Sequence, residues 1–205
     1  KPAHLFANFM VFVGATLSAF WIMAANSWMQ VPIGVTVEGG KLIVTDYLVA
    51  IFNPDTLVSF SHMWLACIES TLFMMTGIAA AVLLSRRAPV EHREFFLRTF
   101  KYCLALALVV TPLQMFVGDL SGLTIAKYQP QKLAATELHW DTNPEGQGAA
   151  WSVIALPAAG GGHNSFDLSI PDALSLITTH SPTGTVQGLN DFAADDRPTL
   201  IDDVI

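Results

Sequence analysis

A histidine and a glutamate seven residues apart are the first pair of candidate functional residues. His62 and Glu69 lie in a stretch from about residue 57 to 84, in which Glu69 is the only Asp, Glu, Lys or Arg. Seven residues make almost two turns of a helix, so both side chains lie on one helix face. His62 could be a haem or metal ligand or could make a plain interhelical hydrogen bond. Glu69 could relay protons or be the buried partner of another polar residue.

A lysine and a glutamate in the run KLAATELHWDT (132–142) form the second candidate pair. Lys132 and Glu137 are five residues apart, about 140° around a helix, so they cannot form the usual i,i+4 surface pair. They could approach a ligand from two sides. A carboxylate that takes the proton of a phenolic hydroxyl, beside a cation that stabilises the developing anion, would suit quinol oxidation. His139, in the same run, is predicted to be solvated.

The motifs of familiar soluble enzymes are absent from the sequence. It contains no GxxxxGK[ST], GxGxxG, CxxC or HExxH. Its two cysteines are too few for a disulfide scaffold or a four-thiolate zinc site. Cys67 and Cys103 both fall in apolar stretches and are predicted to pack as small hydrophobic side chains.

Composition separates the chain into two regions. Of the 205 residues, 52% are hydrophobic and 13% charged, against about 45–50% and about 25% in ordinary soluble domains. Residues 1–118 hold seven basic and six acidic side chains, whereas residues 119–205 hold three basic and eleven acidic ones. The net charge of −7 therefore comes from the second region. Without a basic surface, nucleic acid is not an expected partner.

Three long stretches with almost no charge position the candidate residues. A helix needs roughly 20 apolar residues to cross a bilayer, and the stretches predict spans at about 5–29, 57–84 and 96–117. Pro112 lies inside the third span and is tolerated there because neighbouring groups in a bundle can satisfy the freed carbonyl. The predicted fold class is an all-α polytopic transmembrane helix bundle, surrounded by membrane lipid. The alternative is a soluble protein with three buried core helices.

The distribution of lysine and arginine predicts the orientation. Half of all basic residues lie within residues 85–101, which follow the second span and include the start of the third: Arg86, Arg87, Arg93, Arg98 and Lys101. By the positive-inside rule, residues 85–95 face the cytoplasm, and residues 30–55 and 119–205 face the periplasm of a bacterium.

The region after residue 118 is predicted to be a long extramembrane loop. It begins with the run GDLSG (118–122), interpreted as an exit turn from the third span. Residues 143–205 are rich in Gly, Pro, Asn, Asp and Ser, which favours an irregular loop of limited order. Because the sequence has no initiator Met and no closing element, we expect an internal piece of a longer polypeptide.

Four runs in this order resemble subunit I of the cytochrome bd quinol oxidases. They are LSAFWIMAANSWMQ (17–30), Asn53-Pro54 followed by Phe60-Ser61-His62, GDLSG (118–122) and KLAATELHWDT (132–142). Each run alone is weak to moderate, but KLAAxExxW after GDxSG is specific. The resemblance covers essentially the whole chain.

The resemblance implies a terminal respiratory oxidase of the bacterial inner membrane that holds a low-spin haem b, a high-spin haem b and haem d. Such an enzyme oxidises ubiquinol or menaquinol near the periplasmic face. Electrons pass through haem b to haem d, where oxygen is reduced to water, and the reaction contributes to the proton gradient. The implied partners are subunit II and a small accessory single-span subunit. Residues from Asp119 onward match the periplasmic quinol-binding loop.

The same resemblance assigns individual residues. His62 matches the axial ligand of the low-spin haem b, and Lys132 and Glu137 match the lysine and glutamate of the quinol site. Ser18 matches a serine associated with a proton path toward haem d. The ligands of haem d and of the high-spin haem b are expected outside this sequence. Glu69 departs from the family pattern, which has a small or hydroxyl residue there, so its role stays open.

Two other functions compete with this one at the level of sequence. Another haem b membrane subunit that exchanges electrons with quinone would also use His62. A membrane transporter would also place polar groups such as His62 and Glu69 within its spans.

Overall fold

Three long apolar helices dominate the computed structural model, which describes residues 1–85 and 90–193. Each is long and apolar enough to cross a membrane. They are α1 (Pro2–Gln30), α3 (Thr56–Leu84) and α4 (Val90–Tyr128), with a short α2 (Tyr47–Ile51) before α3. The predicted class, a bundle of transmembrane helices, is confirmed.

The outer faces of these helices are apolar. Large hydrophobic side chains more than half exposed occur along all three helices, among them Leu5, Val11, Met74, Leu108 and Met115. A core helix of a soluble protein would bury such side chains, since exposed apolar patches of this extent mark a membrane or partner surface. The alternative of three soluble core helices is therefore wrong.

Helices α1 and α3 pack through aromatic rings, and each helix buries a small residue. Phe20 meets Phe60 edge to face with ring centroids 5.5 Å apart, and Phe12 lies 6.4 Å from Trp64. Ala24 of α1 and Ala79 of α3 are buried. Small residues let helix backbones approach in a membrane, where packing rather than the hydrophobic effect drives association.

The segment between α1 and α3 is a small ordered cap. Strands β1 (Val35–Glu38) and β2 (Lys41–Val44) form an antiparallel hairpin. Its two-residue turn, Gly39-Gly40, has φ values of 57° and 75°, the conformation of a type I′ turn that glycine adopts most readily. Asp46 Oδ1 then accepts hydrogen bonds from the backbone N–H groups of Leu48 and Val49 and begins α2.

The third long helix differs from the prediction at its C-terminal end. The expected span stopped at residue 117, and GDLSG (118–122) was expected to be an exit turn. Instead α4 continues without interruption to Tyr128. Its first strong stop signal is Pro130, which occupies the first turn of α5 (Pro130–Thr136). Of the predicted cytoplasmic segment 85–95, residues 86–89 lie outside the described residues, and α4 covers the remainder from Val90.

The chain divides into two compact units, Lys1–Gly118 and Asp119–Ile205. Within the second, β3 (Trp151–Pro157) and β4 (Asn164–Ile170) form an antiparallel hairpin, followed by α6 (Ala173–Thr179). A 3-10 turn spans Leu189–Asp191. The limited order expected for residues 143–205 is therefore wrong up to residue 193, and residues 194–205 lie outside the described part.

Buried polar side chains explain this order. Asn143, which is 7% exposed, accepts a hydrogen bond from Val186 N at 2.7 Å and donates to the carbonyls of Gln147 and Gly184. Ser175 Oγ accepts from Ala149 N at 2.7 Å and donates to Gly184 O. These polar residues predicted a solvated loop, but they satisfy backbone groups inside a folded one.

Candidate functional site

His62 lies half-buried on α3 and contacts two residues of α4. Gln114 Nε2 is 3.3 Å from His62 Nδ1 and 3.5 Å from Nε2. A Cβ atom added to Gly118 would lie 3.3 Å from His62 Cε1. Gln114 and Gly118 are one helical turn apart, so α4 presents both on the face that meets the ring.

The Gln114 amide is only half satisfied. Its Oε1 is buried and has no hydrogen-bond partner among the described residues. An unpaired buried acceptor in a membrane helix is costly, because no water is present to replace the missing donor. The unpaired oxygen belongs to the same side chain that contacts the candidate haem ligand.

Glu69 has a partner across the same two helices. Thr111 Oγ1 of α4 donates a hydrogen bond of 2.5 Å to Glu69 Oε1. Glu69 follows His62 by seven residues, and Thr111 precedes Gly118 by seven, so α3 and α4 run in opposite directions along this face. Of the two roles left open for Glu69, the buried polar partner is the one with a visible contact.

Lys132 and Glu137 both belong to α5 in the second unit. Lys132 is exposed within the helix, and Glu137 is half-buried and ends it. Leu138 follows with a left-handed φ of 49°. The N–H groups of Leu138 and His139 bond to the carbonyls of Ala135 and Ala134, at 3.4 and 2.9 Å. This pair of bonds is a Schellman motif, with leucine where glycine is usual.

The remaining residues of that run form a core. Ala134, Trp140 and Leu189 are buried together, and Leu138 packs against them. Trp140 Nε1 donates to Asn164 Oδ1 at 2.7 Å, and Asn164 Nδ2 donates to Leu138 O at 3.2 Å. These contacts fix the backbone on which Glu137 sits and offset the left-handed conformation of Leu138.

Two histidines of the second unit are bonded rather than simply solvated. His139 was predicted to be solvated, but it is half-buried and its Nε2 donates to Val186 O at 3.3 Å. His180 Nε2 lies 3.0 Å from Asp119 Oδ1, so the aspartate of the GDLSG run pairs with the residue that ends α6.

A cavity of about 370 Å³ also lies within the second unit. Its lining includes Lys127, Leu133, Thr178 and Gln187. Neither Lys132 nor Glu137 belongs to that lining in the described part of the chain. In the first unit, Ser18 is an exposed residue of α1.

Comparison with known proteins identifies the family. The family model described as cytochrome bd terminal oxidase subunit I matches residues 1–202. The chain belongs to this family. It is 34% identical over 203 residues to cytochrome bd-II ubiquinol oxidase subunit 1 of Escherichia coli K12, covering 98% of this chain and 38% of that protein. It is 29% identical to cytochrome bd ubiquinol oxidase subunit 1 of Bacillus subtilis, covering 95% and 40%.

The fold agrees with that assignment. The bd oxidase structure from Geobacillus thermodenitrificans superposes with a TM-score of 0.78 at 30% identity, covering 96% of this chain and 44% of that one. The chain thus spans about two fifths of the length of the bd subunit I relatives that it matches.

A haem needs only one side-chain ligand on each of its two faces, and His62 is the candidate for one of them. Among residues 1–85 and 90–193, no group of three His, Cys, Asp or Glu side chains could hold a metal ion by itself. A haem brings four nitrogen ligands of its own and needs only axial ligands from the protein. His62, a half-buried histidine on a membrane-spanning helix, is the candidate for such a ligand.

Sequence reasoning missed three residues that this bd subunit I chain places around the site. Thr111, Gln114 and Gly118 are the α4 residues that contact Glu69 and His62. A signal was present, since the three follow a 3.6-residue period in an otherwise apolar span. Asn164 was also missed, and no local signal indicates its contact with Trp140, which lies 24 residues away along the chain.

Proposed function

We propose that this chain forms part of subunit I of a respiratory quinol oxidase that oxidises quinol at the periplasmic face and delivers electrons through haem b to haem d, where oxygen is reduced to water. Membership of the bd subunit I family supports the reaction class. The observation that carries the proposal for this chain is the contact of His62 with Gln114 and Gly118, which holds an imidazole between two membrane-spanning helices.

In this proposal His62 would hold the low-spin haem b through a ring nitrogen. The haem supplies an iron centre that accepts and releases one electron at a time. His62 provides a neutral ring nitrogen to the iron, and α4 restricts the rotation of the ring. The high-spin haem b, haem d, subunit II and a small accessory subunit complete the proposed complex. Ser18 belongs to a proposed proton path toward haem d.

Glu137 and Lys132 are the proposed quinol-site residues. Glu137 accepts the proton of a quinol hydroxyl, and the Lys132 ammonium stabilises the negative charge that develops on the quinol oxygen. The Schellman motif and the Trp140–Asn164 bond hold α5 in place while the two side chains reach the ligand.

The test of the quinol site uses the complete oxidase complex carrying Glu137→Gln or Lys132→Met. Turnover with quinol is expected to fall at least tenfold, since general-base and electrostatic contributions are commonly about 10²-fold or larger. Turnover with an artificial donor that reduces the haems directly should stay near the wild-type value. Glu145→Gln, at an exposed acid of the same unit, is the matched control. Equal losses with both donors would contradict the quinol assignment.

A further inference from the structure

The unpaired oxygen of Gln114 is the feature of the site that the proposed function leaves unexplained. Gln114 Oε1 is buried without a partner, while the Nε2 atom of the same amide faces the His62 ring. Gln114 Nε2 is 3.3 Å from His62 Nδ1 and 3.5 Å from His62 Nε2, and an amide N–H can only donate, so the nearer ring nitrogen, Nδ1, is the acceptor in this arrangement. A neutral imidazole whose Nδ1 accepts carries its proton on Nε2.

That tautomer is unsuited to an axial ligand. A histidine that binds iron through Nε2 has its proton on Nδ1, and this N–H is nearly always donated to an oxygen acceptor. The two ends of a carboxamide are almost the same shape, so half a turn of the Gln114 amide exchanges its oxygen and nitrogen within the same space. The turn gives Oε1 a donor, matches the tautomer with the proton on His62 Nδ1, and moves the Gln114 amide nitrogen to the place that Oε1 occupied.

We propose that Gln114 is the positioning residue of His62, with its Oε1 accepting the Nδ1–H of the iron-bound ring. Gly118 also positions the ring, because a Cβ there would lie 3.3 Å from Cε1 and 3.7 Å from Nδ1 of His62 and would displace the ring. The inference rests on the proposed role of His62 as haem ligand. The Gln114 acceptor fixes the orientation of the His62 ring and lowers the midpoint potential of the haem iron.

The direction of the tuning follows from the hydrogen bond. An acceptor on Nδ1–H makes the imidazole a stronger electron donor and favours the oxidised iron. Removing the acceptor therefore raises the midpoint potential of haem b. A purely structural contact predicts no such directed shift.

The experiment is a redox titration of haem b in the complete complex with Gln114→Leu and Gln114→Met. Both variants replace the amide by an apolar side chain of similar size and so remove the acceptor. The midpoint potential of the low-spin haem b should therefore rise at unchanged haem b content. Met, which is unbranched, serves if Leu prevents assembly. Gly118→Ala keeps the acceptor but displaces the ring, so it should shift the electron paramagnetic resonance g values of the oxidised low-spin haem. Gly77→Ala is the matched control, because a Cβ there meets nothing within 4 Å.

The outcomes separate this inference from the proposed function. An unchanged or lowered potential in both Gln114 variants at full haem b occupancy would overturn the positioning role. His62→Ala, measured in parallel, tests the ligand itself. If it retains the haem b band, the ligand assignment fails, and the Gln114 inference fails with it. If it loses the band while the Gln114 variants titrate like wild type, only the positioning inference fails.

Discussion

The polar side chains of the membrane-spanning helices meet in two pairs across α3 and α4. His62 faces Gln114, and Glu69 accepts from Thr111. Sequence alone could select His62 and Glu69, because they interrupt a stretch with no other charge. It could not choose between a ligand and a hydrogen bond, since that choice depends on which residue of another helix stands opposite.

The Glu69–Thr111 hydrogen bond should stabilise the pairing of these helices. Double-mutant cycles in membrane proteins give about 0.6 kcal/mol for such a bond. We expect Glu69→Leu and Thr111→Val to lower thermal stability of the purified complex, and the double variant to lose less than the sum of the two. Glu69→Gln keeps an oxygen acceptor and should remain close to wild type.

Thermal unfolding in detergent, followed by loss of assembled complex, measures this coupling. Strictly additive losses would show that the bond does not contribute. A large loss of oxidase turnover in Glu69→Gln with normal assembly would instead assign Glu69 to proton transfer, since the amide cannot carry a proton as the carboxyl group does.

At the scale of elements, the helices could be predicted better than the segments that join them. Charge-free stretches located the spans because burial of a charge in a bilayer is so unfavourable that few sequences contain one. GDLSG misled the prediction at 118–122, because glycine, aspartate and serine favour turns locally but helical bonds continue through them in α4. The β3–β4 hairpin was missed because its flanks and turn are rich in polar residues and glycine.

The order of the second unit depends on Asn143. Asn143→Ala would leave the buried Val186 N–H without its acceptor, whereas the Gly184 carbonyl would keep the Ser175 hydroxyl as donor, and an unsatisfied buried group costs about 1–3 kcal/mol. A loss of about 2 kcal/mol would raise the population of the opened loop roughly 30-fold.

Limited proteolysis of the intact complex measures this opening. Cleavage within residues 143–188 should accelerate by a similar factor in Asn143→Ala. His163→Ala is the control, because His163 is an exposed residue of the same segment. The same cleavage rate in both variants would contradict the structural role of Asn143.

At the scale of the whole molecule, charge asymmetry carries the prediction of sidedness. Residues 85–101 hold half of the basic residues, and residues 119–205 hold eleven of the seventeen acidic ones. The three helices suit a membrane protein of the bd subunit I family. The orientation remains a prediction from the positive-inside rule.

Cysteine labelling tests that orientation. In full-length protein with Cys67→Ala and Cys103→Ala, a cysteine is placed by Glu91→Cys or by Glu145→Cys, both at exposed positions. A membrane-impermeant thiol reagent added to spheroplasts should label position 145 directly and position 91 only after the membrane is permeabilised. Labelling of both from the outside would contradict the orientation.

The proposed binding of haem b iron by His62 is tested by the reduced-minus-oxidised absorption spectrum of the complete complex. His62→Ala should remove the low-spin haem b band while the haem d band largely survives. His92→Ala, at an exposed histidine of α4, should leave both bands unchanged. A His62→Ala complex that keeps the full low-spin haem b band would contradict the assignment of His62 as the ligand.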